Sequence, residues 1–362
     1  MKKRILAIDQ GEHLGGAERF FSELLTRVET HEVHLVTSGN PEYKKFYKDS
    51  AVIIHELPLP KLKPVRIGTL LEFRKARQTL GKLIETIQPT TIISNTVRTH
   101  LLISSLAKKK KIPLIWMGHD LTFPQVLMRW CMRYPQTVIS CSKFVESFFK
   151  KNTKRKNIRW EIIYPFGIER NRLIELQKIK KEKIIGMVGK FIPWKNQKSF
   201  IELASEIHQR YPDYQFTLVG SPYEGNVESE MYFEECKDFI RQKELQKILN
   251  VKTQVPDILK EISTWEILIH CSTSPEPLGR VVMEGMASGC AVIASPFGGP
   301  SEVIQHRATG VLTRPDMESL KRETIELIHH PEDRMKISQS AQNEIQEKYT
   351  WEKVIHEFNK LI

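Results

Sequence analysis

Short apolar runs alternate with amphipathic stretches along the whole chain. In the first half, residues 4–9, 33–37, 52–57, 91–94, 113–117, 137–141 and 160–164 read as short strands. Between them, Phe20, Phe21, Leu24, Leu25 and Val28 recur at helical spacing over 17–28, and 68–87, 98–108 and 142–151 also read as helices. The second half repeats the pattern. Strands fall at 184–189, 215–219, 248–251, 266–270 and 290–294; helices start at 197 and cover about 228–246, 256–263, 319–328 and 333–349. Such alternation predicts parallel sheets covered on both faces. Residues 58–64 read as a loop, and the charged segment 175–183 as a solvated linker near a domain change at 168–182.

A chain of 362 residues can build two cores. No apolar run reaches membrane-spanning length, and residues 5–8 after Met-Lys-Lys-Arg are too few for a signal sequence. The cysteines (131, 141, 236, 271, 290) are odd in number and lack a Cys-x-x-Cys pair. That points to a reducing cytoplasm and away from a disulfide framework or a zinc site.

Charge divides unevenly. Residues 1–178 hold 32 Lys and Arg against 16 Asp and Glu, and residues 179–362 hold 23 against 27. The first half is therefore expected to meet an anionic partner: nucleic acid, an anionic membrane surface or a phosphorylated acceptor. Over 122–134, a helix would gather Phe123, Val126, Leu127, Trp130 and Tyr134 on one face, with Arg129 and Arg133 opposite. Two readings stand: an interfacial membrane helix beside the lysine run 108–111, or a helix packed on the core.

Candidate chemistry concentrates at 271–302, CSTSPEPLGRVVMEGMASGCAVIASPFGGPSE. Glu276 precedes a proline suited to the first position of a helix, so it is expected in the loop at the helix mouth. Glu284 would lie about two turns further in, roughly 12 Å along the axis. Carboxylates so separated suit the sugar and the ribose of a nucleotide sugar. The amides of Leu278, Gly279 and Arg280 between them would face its diphosphate. Earlier, a strand, the turn Gly15-Gly16 and a helix form the phosphate-side corner of a Rossmann-like unit, where a Cβ would hold a ligand off the backbone. His119 ends a strand, where open α/β sheets bind ligands. Lys190 and Lys195 follow the first strand of the second half.

The run E-P-L-G-R-V-V-M-E-G-M-A-S-G, with A-V-I-A-S and G-G-P-S-E after it, resembles the Glu-x7-Glu signature of glycosyltransferase family 4. The likeness covers nearly the whole chain and is strongest over 184–312. It implies the GT-B fold, two α/β Rossmann-like domains facing a central cleft, and a retaining, nucleotide-sugar-dependent, hexosyltransferase-like enzyme. By the same resemblance Gly15 and Gly16 lie against donor phosphates and acceptor, and His119 reaches the donor sugar or the acceptor. Lys190 and Lys195 clamp the diphosphate, with lysine at 190 where the family has arginine, a loss of the bidentate fork. Phe166 in Y-P-F-G-I-E stands where the family has asparagine.

The expected domains are 1–175 on the acceptor side, 176–345 on the donor side, and a terminal helix over 346–362 crossing back to the first. Two cationic side chains beside two phosphates supply the charge that a metal supplies elsewhere, so neither metal nor cofactor is expected beyond the donor itself. The acceptor is expected to be a lipid-linked or anionic glycan met at the cytoplasmic membrane face. Two rival readings are a non-catalytic nucleotide-sugar-binding homologue and a nucleic-acid-binding protein. The latter ranks last because no aromatic-interleaved basic motif is present.

Overall fold

The computed structural model describes residues 2–11, 15–60, 67–119, 121 and 124–362. Asp120, Thr122, Phe123 and residues 61–64 of the expected loop lie outside them. Contacts divide the chain into Met1–Pro165 with Glu352–Ile362, and Phe166–Trp351.

In the first unit seven strands pair in parallel: β1 (Arg4–Ile8), β2 (Glu32–Thr37), β3 (Ile53–Glu56), β4 (Thr91–Ser94), β5 (Leu114–Gly118), β6 (Thr137–Ser140) and β7 (Arg159–Ile162). Their order is β3-β2-β1-β4-β5-β6-β7, with Ile8 beside both Val36 and Ser94. Ile5 to Ile8 are fully buried because helices cover both faces of the sheet. Leu6, Ile8 and Ile92 pack with Leu80 and Ile84 of the helix Ile67–Ile87 and Leu102 of the helix Val97–Lys109. Trp116, Val138 and Phe149 belong to a second cluster.

The second unit has six parallel strands: β8 (Glu182–Val188), β9 (Gln215–Val219), β10 (Leu249–Lys252), β11 (Trp265–His270), β12 (Ala291–Ala294) and β13 (Val311–Leu312), ordered β10-β9-β8-β11-β12-β13. Its core joins Ile185, Met187, Phe216, Leu218, Ile267, Ile269 and Ile293 to Phe200, Leu203 and Ile207 of the helix Gln197–Arg210. Both units are Rossmann-like. In each, the strand order reverses at the middle, between β1 and β4 or between β8 and β11, the position where such sheets bind ligands.

Several expectations change. The helix Arg170–Gln177 runs into the start of the expected 175–183 linker; it buries Leu173 and Leu176 and ties Arg172 to Asp257, so the boundary precedes this helix. Charge density around it hid the buried Leu176, which follows the buried Leu173 at helical spacing. The two-residue strand β13 was too short to register as a periodic run. On the helix Gln125–Cys131 the buried side chains are Met128 and Cys131, with Leu127 and Trp130 packed beside them, while Val126 is 78% exposed. This helix packs on the core through a face rotated from the one the sequence suggested. The helix Trp351–Asn359 carries the chain into the first unit, burying Val354 and Phe358. Among the described residues no helix is long and apolar enough to cross a membrane.

Candidate active site

The loops after β8 and β11 flank the reversal point of the second sheet. The first carries Lys190 and a 3-10 turn Pro193–Lys195, closed by Asn196 in the left-handed region (φ 67°). Lys190 is exposed: its Nζ donates to Ser221 Oγ (2.8 Å) and to the Pro222 carbonyl (3.3 Å), and stands 5.3 Å over the Tyr223 ring. Lys195 turns the other way, onto Glu276, its Nζ 2.5 Å from Oε1.

Glu276 is the best-organised group here. Its Oε1 meets Lys195 Nζ, His270 Nε2 at 2.6 Å and the Ser272 hydroxyl, and its side chain is only 7% exposed. Burial alone would raise its pKa. The His270 and Lys195 charges and hydrogen bonds outweigh burial and hold the carboxyl well below the usual range. His270 escaped the sequence reading because, at the end of a buried strand, it looks like any core histidine. Among the described residues its buried Nδ1 has no hydrogen-bond partner.

The glutamates do not share one helix. Glu276 lies in an isolated bridge with Gly298: its amide donates to the Phe297 carbonyl (3.3 Å), and its carbonyl accepts from Gly299 N–H (2.9 Å). The helix begins at Arg280 instead of Pro277, with Gly279 before it at φ 76°. A left-handed residue cannot lie inside a right-handed helix, so Pro277 and Leu278 precede the first turn. Glu284 accepts from Arg280 Nε at 3.0 Å, a helical i,i+4 pair. Leu278 and Gly279 are buried, immediately before the positive end of this helix.

In the first unit His119 follows β5, and its Nε2 lies 3.1 Å from Asn95 Oδ1 after β4. Asn95 Nδ2 donates to Asp9 Oδ2 after β1 (3.1 Å), and the Tyr43 hydroxyl donates to the same oxygen (2.6 Å). Asp9 and Asn95 thus mark the reversal point of this sheet. Gly15 and Gly16 are exposed at the start of the helix Gly16–Leu25, where Gly15 is extended and its carbonyl accepts from Arg19 N–H.

Residues 14–166 match the family model described as Glycosyltransferase Family 4, and residues 169–344 match Glycosyl transferases group 1. The chain belongs to the family 4 glycosyltransferases. An uncharacterized glycosyltransferase of Methanocaldococcus jannaschii is 24% identical over 395 aligned positions, which take in 96% of this chain and 95% of that one. Anabaena HepE, solved in complex with UDP, superposes with a TM-score of 0.84 at 21% identity, each chain covered to 99%. A glycosyltransferase from Rickettsia africae gives 0.84 at 19% identity, with 99% of this chain and 97% of that one covered. These neighbours establish the GT-B fold, and family and fold together support transferase activity.

Two histidines of this glycosyltransferase couple its stability to pH. Burial lowers the pKa of His100 to about 4, opposed by its bond to the Cys131 carbonyl, and lowers that of His119 to about 4. A histidine whose folded pKa lies below its unfolded value stabilises the fold fully above that value. The contribution is lost as pH falls from the ordinary 6.5 toward 4. The thermal midpoint should therefore fall across that window. A midpoint unchanged from pH 7 to pH 4 would contradict both assignments.

Proposed function

We propose that the enzyme transfers a sugar from a nucleoside diphosphate to an acceptor hydroxyl with retention of configuration. The observation that carries this is the convergence of Lys195, His270 and Ser272 on Glu276, just before a helix start and at the reversal point of a Rossmann-like sheet. HepE has been solved with UDP, with UDP and glucose, and with UDP-glucose, which favours a nucleotide sugar as donor. In this reading Glu276 orients the donor sugar and Glu284 holds the ribose. Lys190, Lys195 and the amides of Leu278, Gly279 and Arg280 stabilise the departing diphosphate, while Gly15, Gly16 and His119 serve the acceptor side. The bond from the anomeric carbon to the phosphate oxygen breaks, the acceptor oxygen bonds on the same face, and the leaving phosphate takes the acceptor proton. Mass spectrometry against a panel of nucleotide sugars should yield one or two that are turned over. Binding without turnover of any would favour the non-catalytic reading.

Positive side chains and helix-end amides balance the leaving group's charge, so activity should survive excess EDTA. Loss of activity with EDTA and rescue by Mn²⁺ or Mg²⁺ would overturn this metal-free account.

The acceptor is proposed to be a lipid-linked or anionic glycan at an anionic membrane surface. The first unit holds 31 Lys and Arg against 16 Asp and Glu, the second 24 against 27. A groove of about 1170 Å³ beside the helix Ile67–Ile87 is lined by Arg74, Lys75, Arg77, Lys82, Lys109 and Lys110 with a single acid, Glu85. Leu70 and Leu71 at the start of this helix are 71% and 60% exposed. Each such cation near an anionic bilayer contributes about 1 kcal/mol, less as salt rises. The protein should co-sediment with anionic but not neutral vesicles, and charge reversal at Lys109 and Lys110 should weaken that binding. Indifference to both lipids, with full activity on a neutral soluble acceptor, would remove this proposal.

A further inference from the structure

We infer that Asn95 and Asp9 form a positioning pair for His119: Asp9 orients the Asn95 amide, whose Oδ1 holds the imidazole as its Nε2–H tautomer and leaves Nδ1 to accept a hydrogen bond from a substrate hydroxyl. The inference rests on the proposed placement of His119 at the substrates.

It follows from donors and acceptors along one line. Asp9 is fully buried, and its Oδ2 takes the Asn95 Nδ2 at 3.1 Å and the Tyr43 hydroxyl at 2.6 Å. Burial raises the pKa of Asp9, but its Oδ2 already receives the Tyr43 hydroxyl proton and is therefore an acceptor, so the amide nitrogen of Asn95 must face it. Turning the amide over would set two oxygens against each other inside the protein, an uncompensated buried contact. With the nitrogen committed, Oδ1 is what Asn95 offers to His119 Nε2, 3.1 Å away. An amide oxygen can only accept, so Nε2 carries the proton. Which imidazole nitrogen is protonated is set by the bond the other group makes.

The line is anchored at its far end. Tyr43 is buried against Tyr47, whose hydroxyl lies 3.0 Å from that of Tyr43 and 2.9 Å from Ser22 Oγ. Burial raises the pKa of Tyr43 well above its ordinary value, so it remains a donor to Asp9. Among the described residues His119 Nδ1 has no hydrogen-bond partner, and the ring is part-buried. Burial also lowers the pKa of His119 to about 4, so at neutral pH it is an uncharged acceptor and not a cation for phosphate. Asn95 and Asp9 therefore act through the ring.

Full-length protein labelled with ¹⁵N-histidine, without substrate at pH 7, tests this by its long-range proton–nitrogen spectrum. His119→Gln identifies the signals. The expected result is a protonated Nε2 and an unprotonated Nδ1 for His119. In Asp9→Asn the Asn95 amide loses its fixed acceptor, so both tautomers should appear and kcat should fall about 10–100-fold, the scale on which losing the hydrogen-bond partner that orients a metal-bound histidine acts. Nδ1–H in the wild type would overturn the inference whether or not Asp9→Asn folds. So would a folded Asp9→Asn that keeps Nε2–H alone. The spectrum needs no turnover. An inactive protein with Nε2–H would count against the proposed function only, and an active one with Nδ1–H against the positioning pair only.

Discussion

Lys195→Ala is expected to lower turnover by about two orders of magnitude, the scale of one preorganised charge donor at a leaving group. It should also destabilise the second unit. Lys195 Nζ lies 2.5 Å from Glu276 Oε1, and the two side chains are 13% and 7% exposed. Removing one member of a buried pair leaves an uncompensated charge, at a cost of about 3–5 kcal/mol. His270 and Ser272 still face Glu276, so the lower end of that range is expected. Glu276 also has a pH signature. Its folded pKa lies well below the ordinary 4.5, so its stabilisation is present above that pH and lost progressively as pH falls below 4.5 toward the folded value. Without Lys195 the depression shrinks, and less stability remains to be lost on acidification. The double variant Lys195→Ala with Glu276→Gln separates the effects: stability should return while turnover stays low. Unchanged turnover in Lys195→Ala would remove Lys195 from the site.

Every strand but the two-residue β13 was legible as a run of four to seven residues between polar or glycine-rich loops, and helical periodicity filled the intervals. Parallel pairing and reversal of order follow from that alternation. The loop chemistry was less legible. Glu276 stands out in the sequence, but the three donors around its Oε1 come from residue 195 on the loop after β8 and from residues 270 and 272 at the end of β11, distant segments that the pairing of β8 with β11 sets side by side. The helix start was misplaced because Pro277 suits a first turn, while the decisive feature is the left-handed backbone at Gly279. Glycine permits that conformation without announcing it. Asp9 and Asn95 were silent for a similar reason. They stand 86 positions apart, and only the neighbouring of β1 and β4 brings them together.

Gly298→Ala should damage the site severely. Gly298 has φ +79°, and a Cβ there would lie 2.2 Å from the Glu276 carbonyl oxygen and 2.9 Å from its nitrogen. Both contacts are backbone, so no side-chain rotation relieves them. The bridge between Glu276 and Gly298 would have to open, carrying the carboxylate away from Lys195 and His270. A left-handed alanine alone costs about 1–2 kcal/mol. Displacing Glu276 by about 1 Å should add roughly a hundredfold loss of turnover. Gly225 supplies the control: its φ is +73°, and an added Cβ meets nothing within 4 Å. Gly225→Ala should show the backbone strain alone, with a slightly lower thermal midpoint and normal turnover. Gly298→Ala should lose more stability than that and most of its activity. If the two variants match in midpoint and turnover, the close approach of Gly298 to Glu276 has no part in holding the carboxylate. Loss of activity in Gly298→Ala at a midpoint equal to that of Gly225→Ala would place its whole effect on the geometry of Glu276.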